Sequence, residues 1–215
     1  MISTRFITVD LESDGLLYEA TKIHCMVTKT CTAHAPLIWF DEVKSTYGTF
    51  TRDGTISEGL DYLVHMQENN YDIVGHNICG FDFPLIEKLE YFHEWLHPMR
   101  KARLIDTFII DCLLNPEKPH SLDYHAKKMG MVKPPHDDWT KLSEEMLIRC
   151  REDVLINEQL YVNQVLKLGA YPEWEDAIKL EQQVSYIHSQ QTLHGVRVDV
   201  LRAAEILKHL DERIE

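Results

Sequence analysis

With 215 residues and a 44% hydrophobic content, the chain is long and apolar enough for one globular domain with a real core and an appendage. No apolar run approaches bilayer length, and Asp10 and Glu12 interrupt the only early stretch where a secretory segment would lie, so no membrane is expected as a partner. A formal charge of −13 argues against gripping nucleic acid over the whole surface; either DNA is not the partner or the acidity surrounds a metal-loaded cleft.

Residues Arg5 to Leu11 alternate with the period of a strand, Ile7, Val9 and Leu11 on one face and Phe6, Thr8, Asp10 and Glu12 on the other. Ser13-Asp14-Gly15 reads as a turn, and Ile23 to Thr28 and Leu37 to Phe40 as further strands, giving an opening antiparallel meander. Thr55-x-x-Glu58 is a capping box, and Leu60, Leu63 and Val64 behind it predict a helix ending near Asn69-Asn70. Asp72 to Val74 is a short buried strand, followed by a helix from Phe83 to Tyr91 with Pro84 in its first turn. Leu104 to Asp106 is one more strand, running into a helix from Thr107 to Leu114. Ser121 opens another helix, and Met131 to Trp139, carrying Pro134 and Pro135, is a loop. Ser143 to Leu168 forms a long helix, acidic in its first turn and closed by Gly169. Two more helices, Asp176 to Leu193 and Asp199 to Ile214, flank a turn at Gly195. This order predicts an α/β domain over residues 1–170 and an all-helical appendage over 171–215.

Spacing of two places Asp10 and Glu12 on one face of their strand, although a lone pair of this kind is usually only solvated. Asp82 closes Asn77-Ile78-Cys79-Gly80-Phe81-Asp82 and suits either a helix N-cap or a ligand. Asp153 lies on the long helix among Met146, Leu147, Ile148 and Val154, where a buried carboxylate needs a partner or a metal. Four hard oxygen donors favour Mg²⁺ or Mn²⁺ over zinc, and two such ions suit in-line phosphoryl displacement. The five cysteines, an odd number without a Cys-x-x-Cys pair, predict reduced thiols in a cytosol rather than a disulfide scaffold or a zinc site.

Asp10-x-Glu12, Asn77-x-x-x-Phe81-Asp82 and Asp153-Val154 resemble, in order, the three motifs of the DEDD exonucleases. Within that superfamily the chain looks most like the exonuclease domain of phage family A DNA polymerases. Thr21-Lys22-Ile23-His24-Cys25, Gly75-His76-Asn77, Ile105-Asp106-Thr107 and His120-Ser121-Leu122 carry that resemblance. Glu181 to Arg202 is similar to the helical lead-in to a polymerase module.

The resemblance implies a ribonuclease H-like mixed sheet flanked by helices, with a helical C-terminal appendage. It makes Asp10, Glu12, Asp82 and Asp153 the catalytic carboxylates and the ligands of two Mg²⁺ or Mn²⁺ ions. Leu11, Asn77, Phe81 and Arg149 would meet the substrate, Phe81 by the sequence-tolerant stacking that aromatic rings offer an unpaired end. The implied activity is 3′→5′ proofreading of single-stranded or frayed DNA 3′ ends. Its implied setting is beside a polymerase module, in cis or as a separate chain, in the cytoplasm of an infected bacterial host.

One departure stands out. The family places Tyr four residues before the last Asp, or His five before; here Arg149 and Ile148 occupy those positions. Arginine cannot act as a base, so Arg149 is expected either to pair with Asp153 one helical turn away or to hold the scissile phosphate and contribute to catalysis there. Two other functions remain open: a catalytically impaired ribonuclease H-like scaffold or DNA-binding module of a polymerase, and an RNA-trimming exonuclease, which contacts to the 2′-hydroxyl would distinguish.

Overall fold

Strand β1 (Phe6–Ser13) is buried on both faces, partly exposed only at Asp10, and this sets the layering of the whole molecule. The computed structural model describes residues 5–32, 35–41, 52–89, 104–171 and 173–214. β1 pairs antiparallel with β2 (Ile23–Thr30), which pairs antiparallel with β3 (Ile38–Asp41). On its other side β1 runs parallel to β4 (Asp72–Gly75), itself parallel to β5 (Leu104–Asp106), giving the order β3-β2-β1-β4-β5. The sequence pattern of β1 suggested one polar, solvated face. Instead Thr8 is fully buried and Glu12 nearly so, because a central strand in a sheet covered on both sides has no wet face.

The two cover layers differ in origin. Ile7, Val9, Leu11, Met26 and Ile73 point into a core closed by α1 (Ile56–Glu68) and α2 (Asp82–Lys88). The capping box at Thr55 and Glu58 forms with both its hydrogen bonds, so α1 starts where the sequence places it. The end of α2 expected at Tyr91 lies outside the described residues. Gly59 lets α1 approach the sheet: a Cβ there would lie 2.6 Å from Phe40 Cγ and 2.3 Å from Met26 Cε.

The opposite face is covered by α5 (Glu144–Leu168), which crosses β1, β2 and β4 and buries Met146, Leu147, Cys150 and Val154 against Cys25, Val27 and Trp39. Helices α3 (Thr107–Leu114) and α4 (Leu122–Met129) pack beside it. Asp106 is the N-cap of α3, and Ser121 and Ser143 cap α4 and α5.

The last two helices behave differently from each other. In α6 (Trp174–His194) Ile178 joins the core cluster of Phe6 and Tyr161, and Tyr186 packs on Phe83. Past Gly195, whose φ of 74° favours glycine, α7 (Val200–Ile214) buries no residue. Among the described residues no helix is long and apolar enough to cross a membrane.

Candidate active site

Parallel pairing of β1 with β4, in the register Thr8 to Val74, brings the loop after β4 alongside Asp10 and Glu12. That loop is held from beneath by Asp106, whose carboxylate accepts the backbone N–H of Asn77 at 2.9 Å and of Cys79 at 3.0 Å while also capping α3. Burial lifts Asp106 to about 6, with these backbone donors opposing the shift. Asn77 adopts φ 63°, a left-handed conformation that asparagine tolerates, and the chain turns there toward α2.

Asp82 is not the helix cap. Phe81 occupies that position without a side-chain cap bond, and Asp82 is the buried first residue of α2, its own backbone N–H and that of Leu11 opposing the upward shift of its carboxyl. Leu11, expected to meet the substrate, places its side chain in the core. Phe81 is partly exposed beside a groove of about 670 Å³ shared with Leu16, Leu17, Tyr18 and Phe108.

The crossing of α5 over β1 delivers Asp153, Cys150 and Arg149. Asp153, Glu12 and Asp82 all lie close enough to Asp10 for their charges to act on it, and Asp153 and Asp82 also act on Glu12. Burial raises Asp10 well above the usual carboxylate range, and Asp153, Glu12 and Asp82 push it further. Burial, then Asp153, lifts Glu12 to about 8 against the pull of Arg149 and Lys133. Burial lifts Asp82 to about 7, and it also raises Asp153, which Lys133 opposes. The Oδ1 atom of Asp153 is buried without a hydrogen-bond partner.

Such a set fits a divalent cation. Buried carboxylates that repel one another, with an orphaned oxygen among them, are stabilised by hard positive charge. Ligating atoms of Asp10, Glu12 and Cys150 lie within 4.8 Å of one another. The thiol of Cys150 is a poor ligand here, because it donates to the backbone oxygen of Asp10 at 3.4 Å and burial holds it strongly protonated. The acidic pair fits a hard metal without it.

Arg149 does not make the expected ion pair with Asp153. Its Nε stands 3.8 Å from Glu12 Oε1, its Nη1 donates to Pro134 O at 2.8 Å, and its guanidinium lies 5.3 Å from the centre of the Trp139 ring. The ion-pair partner of Asp153 is Lys133, Nζ to Oδ2 at 2.8 Å, a residue that sequence reasoning placed in a loop and passed over. Only the length of that loop and its adjacency to the Asp153 helix could have hinted at it.

No family model and no curated protein matches the sequence. Solved structures do match in three dimensions. A structure described as the apo form of a nuclease aligns with TM-score 0.57 at 17% identity, covering 88% of this chain and 85% of its own. NrnC of Brucella melitensis with bound Mg²⁺ gives TM-score 0.57 at 16% identity over the same shares. The catalytic core of RRP6 from Trypanosoma brucei gives TM-score 0.52 at 21% identity, covering 84% of this chain and 46% of that one. At these identities the likeness is one of fold: this chain has a ribonuclease H-like α/β fold, a mixed five-stranded sheet between helices with a helical C-terminal region.

Proposed function

We propose that this chain is a metal-dependent exonuclease that removes nucleotides from nucleic-acid 3′ ends, with DNA as its substrate. The observation that supports this reading is that Asp153, Glu12 and Asp82 all lie close enough to Asp10 for their charges to raise it beyond what burial does, with ligating atoms of Asp10 and Glu12 within 4.8 Å of each other. A scaffold gains nothing from converging buried carboxylates. A fold shared with a protein described as a nuclease, and with one holding Mg²⁺, points the same way.

In the reaction, water attacks the terminal phosphorus, the bond to the 3′ oxygen of the preceding nucleotide breaks, and that oxygen takes a proton as a nucleoside monophosphate leaves. Mg²⁺ or Mn²⁺ held by the carboxylates, two ions in the implied family, would supply Lewis acidity and lower the pKa of water. The protein's own residues orient the centre. Asp106 fixes the loop bearing Asn77 and Phe81, and Phe81 offers a ring at the groove for an unpaired base. Arg149 is positively charged beside Glu12 and suits a phosphate oxygen, not a proton transfer.

Proofreading beside a polymerase, in cis or as a second chain, accounts for the charge of −13, since the partner would supply most of the DNA grip. The unburied α7 would be the docking surface. The deciding experiment incubates the chain with 3′-labelled single-stranded DNA and RNA, with Mg²⁺ or with chelator. Metal-dependent release of mononucleotides from DNA is expected, lost in Asp10→Ala with Glu12→Ala while far-UV circular dichroism is unchanged. Full activity in that double variant would sink the assignment, and faster release from RNA would favour the RNA-trimming reading.

A further inference from the structure

We propose that α6 is the far wall of a nucleoside subsite; this rests on the exonuclease reading above. An unpaired nucleotide of the bound strand lies there between the rings of Tyr18, Phe81 and Phe108 and the polar side chains of Ser185 and His188. The groove of about 670 Å³ runs between these two walls. That size is within the roughly 300–1,000 Å³ usual for clefts that enclose a small molecule. The groove is continuous with the acidic centre, because Phe81 immediately precedes Asp82. α6 comes close to that loop: a Cβ on Gly80 would stand 3.3 Å from Ser185 Oγ.

Both walls are held in place before any ligand arrives. Lys88 Nζ donates to the carbonyls of Leu17 and Tyr18, each at 2.9 Å, and of Ala20 at 2.7 Å. Asp14 Oδ1 accepts the backbone N–H of Thr21 at 2.7 Å and of Lys22 at 3.1 Å. The loop between β1 and β2 is thereby pinned, while its Tyr18 side chain stays 59% exposed. Phe108 stands perpendicular to the rings of His76 and His120, with centres 5.6 and 5.9 Å away. On the other wall, Tyr186 Oη donates to Glu87 Oε2 at 2.8 Å and Gln190 Nε2 to the same oxygen at 3.0 Å, fastening α6 to α2. An exposed ring on a fixed loop has less freedom to lose on binding, which favours affinity.

The chemistry of the lining selects the nucleoside rather than its phosphate. Among the described residues it holds no lysine or arginine, and Glu181 adds a carboxylate, so a phosphate gains nothing there. A base presents a π face to the rings, which stack on any base. The sugar and the base edge present acceptors, and α6 meets them with a hydroxyl and an imidazole, both able to donate. The hydroxyls of Ser189 and Thr192 are turned back on the carbonyls of Tyr186 and His188, at 2.7 and 2.9 Å, which leaves Ser185 and His188 to face a ligand.

The test is single-turnover cleavage of 5′-labelled hexathymidylate with Mg²⁺ and a range of excess full chain, which separates half-saturating concentration from maximum rate. Tyr18→Ala should raise the half-saturating concentration roughly fivefold to hundredfold, as loss of stacking on one ring does. Ser185→Ala with His188→Ala should raise it roughly twofold to tenfold, as loss of neutral hydrogen bonds does. The maximum rate should hold in both variants, since these side chains stand outside the acidic centre. All three positions are exposed or half-exposed, so the variants are expected to fold. Unchanged half-saturation in either variant, or a fall in maximum rate alone, would overturn the subsite and leave the exonuclease reading standing. A wild type that cleaves nothing would remove the exonuclease reading, and fluorescence anisotropy of the same oligonucleotide would then decide the groove. Weaker binding by Tyr18→Ala would uphold it; equal binding, or none by the wild type, would overturn it.

Discussion

Gln182 and Asp106 are joined across 76 residues of chain: the side-chain Oε1 of Gln182 accepts the backbone N–H of Asp106 at 2.8 Å. The Nε2 of the same amide donates to Leu104 O at 3.0 Å, so α6 supplies hydrogen bonds along the side of β5 that no other described strand pairs. This edge leads directly to the Asp106 carboxylate that holds the Asn77 loop.

Removing that partner leaves backbone groups without their bonds, which costs about 1–3 kcal/mol per buried group. Gln182→Ala is therefore expected to lower unfolding stability by about that amount in urea titration. Truncation after Gly195 should retain a cooperative transition, because α7 buries nothing. Truncation after Gly169 should lose much of the stability, because Ile178, Gln182 and Tyr186 go with it. A wild-type transition in the shorter form would show that α6 is dispensable.

The raised carboxylates give the metal-free protein an unusual pH dependence. A carboxylate whose folded pKa exceeds its unfolded value binds more protons when folded, so stability falls as pH rises through the interval between the two values. For Glu12 that interval runs from 4.5 to about 8, and for Asp82 from 3.8 to about 7. In chelator, Tm should decline from pH 5 to pH 8. Asp10→Asn with Glu12→Gln should flatten the decline and raise Tm at pH 8. A Tm that rises over the same range would contradict the upward shifts that burial imposes on these acids.

Arg149 ties Pro134 and Trp139 to Glu12, so its loss acts through geometry as well as charge. Hydrogen bonds to charged groups contribute about 1.5–3 kcal/mol, which corresponds to roughly a tenfold to hundredfold change if felt fully in the transition state. Arg149→Ala should slow single-turnover cleavage by about that range and weaken binding of the DNA end. Arg149→Tyr should keep a higher rate than Arg149→Ala, since a hydroxyl there can orient water and a ring can still meet Trp139. Equal rates for wild type and Arg149→Ala would make Arg149 a bystander.

Gly59→Ala sets two effects against each other. In a helix interior alanine is favoured over glycine by about 0.8–1 kcal/mol. The new methyl would stand 2.6 Å from Phe40 Cγ, and overpacking of this kind costs about 1–3 kcal/mol. The clash should win, giving net destabilisation in urea denaturation. A stabilised variant would mean that α1 can lift off the sheet cheaply.

What was legible in the sequence was local. The capping box of Thr55 and Glu58, the caps Ser121 and Ser143, and the alternation of Ile7, Val9 and Leu11 are encoded over two to four residues, and the elements begin where those signals lie. The acids Asp10, Glu12, Asp82 and Asp153 could be named because their order along the chain resembles a known pattern. Tertiary structure alone decided that the polar face of β1 is buried, since only the crossing of α5 closes it. It alone moved Asp82 one place past the cap, into the first turn of α2, and put the Leu11 side chain in the core. Lys133 with Asp153 and Gln182 with Asp106 are contacts between residues far apart in the chain, each of a type that composition assigns to water. No periodicity marks a single side chain for burial; its partner becomes known only when the elements pack.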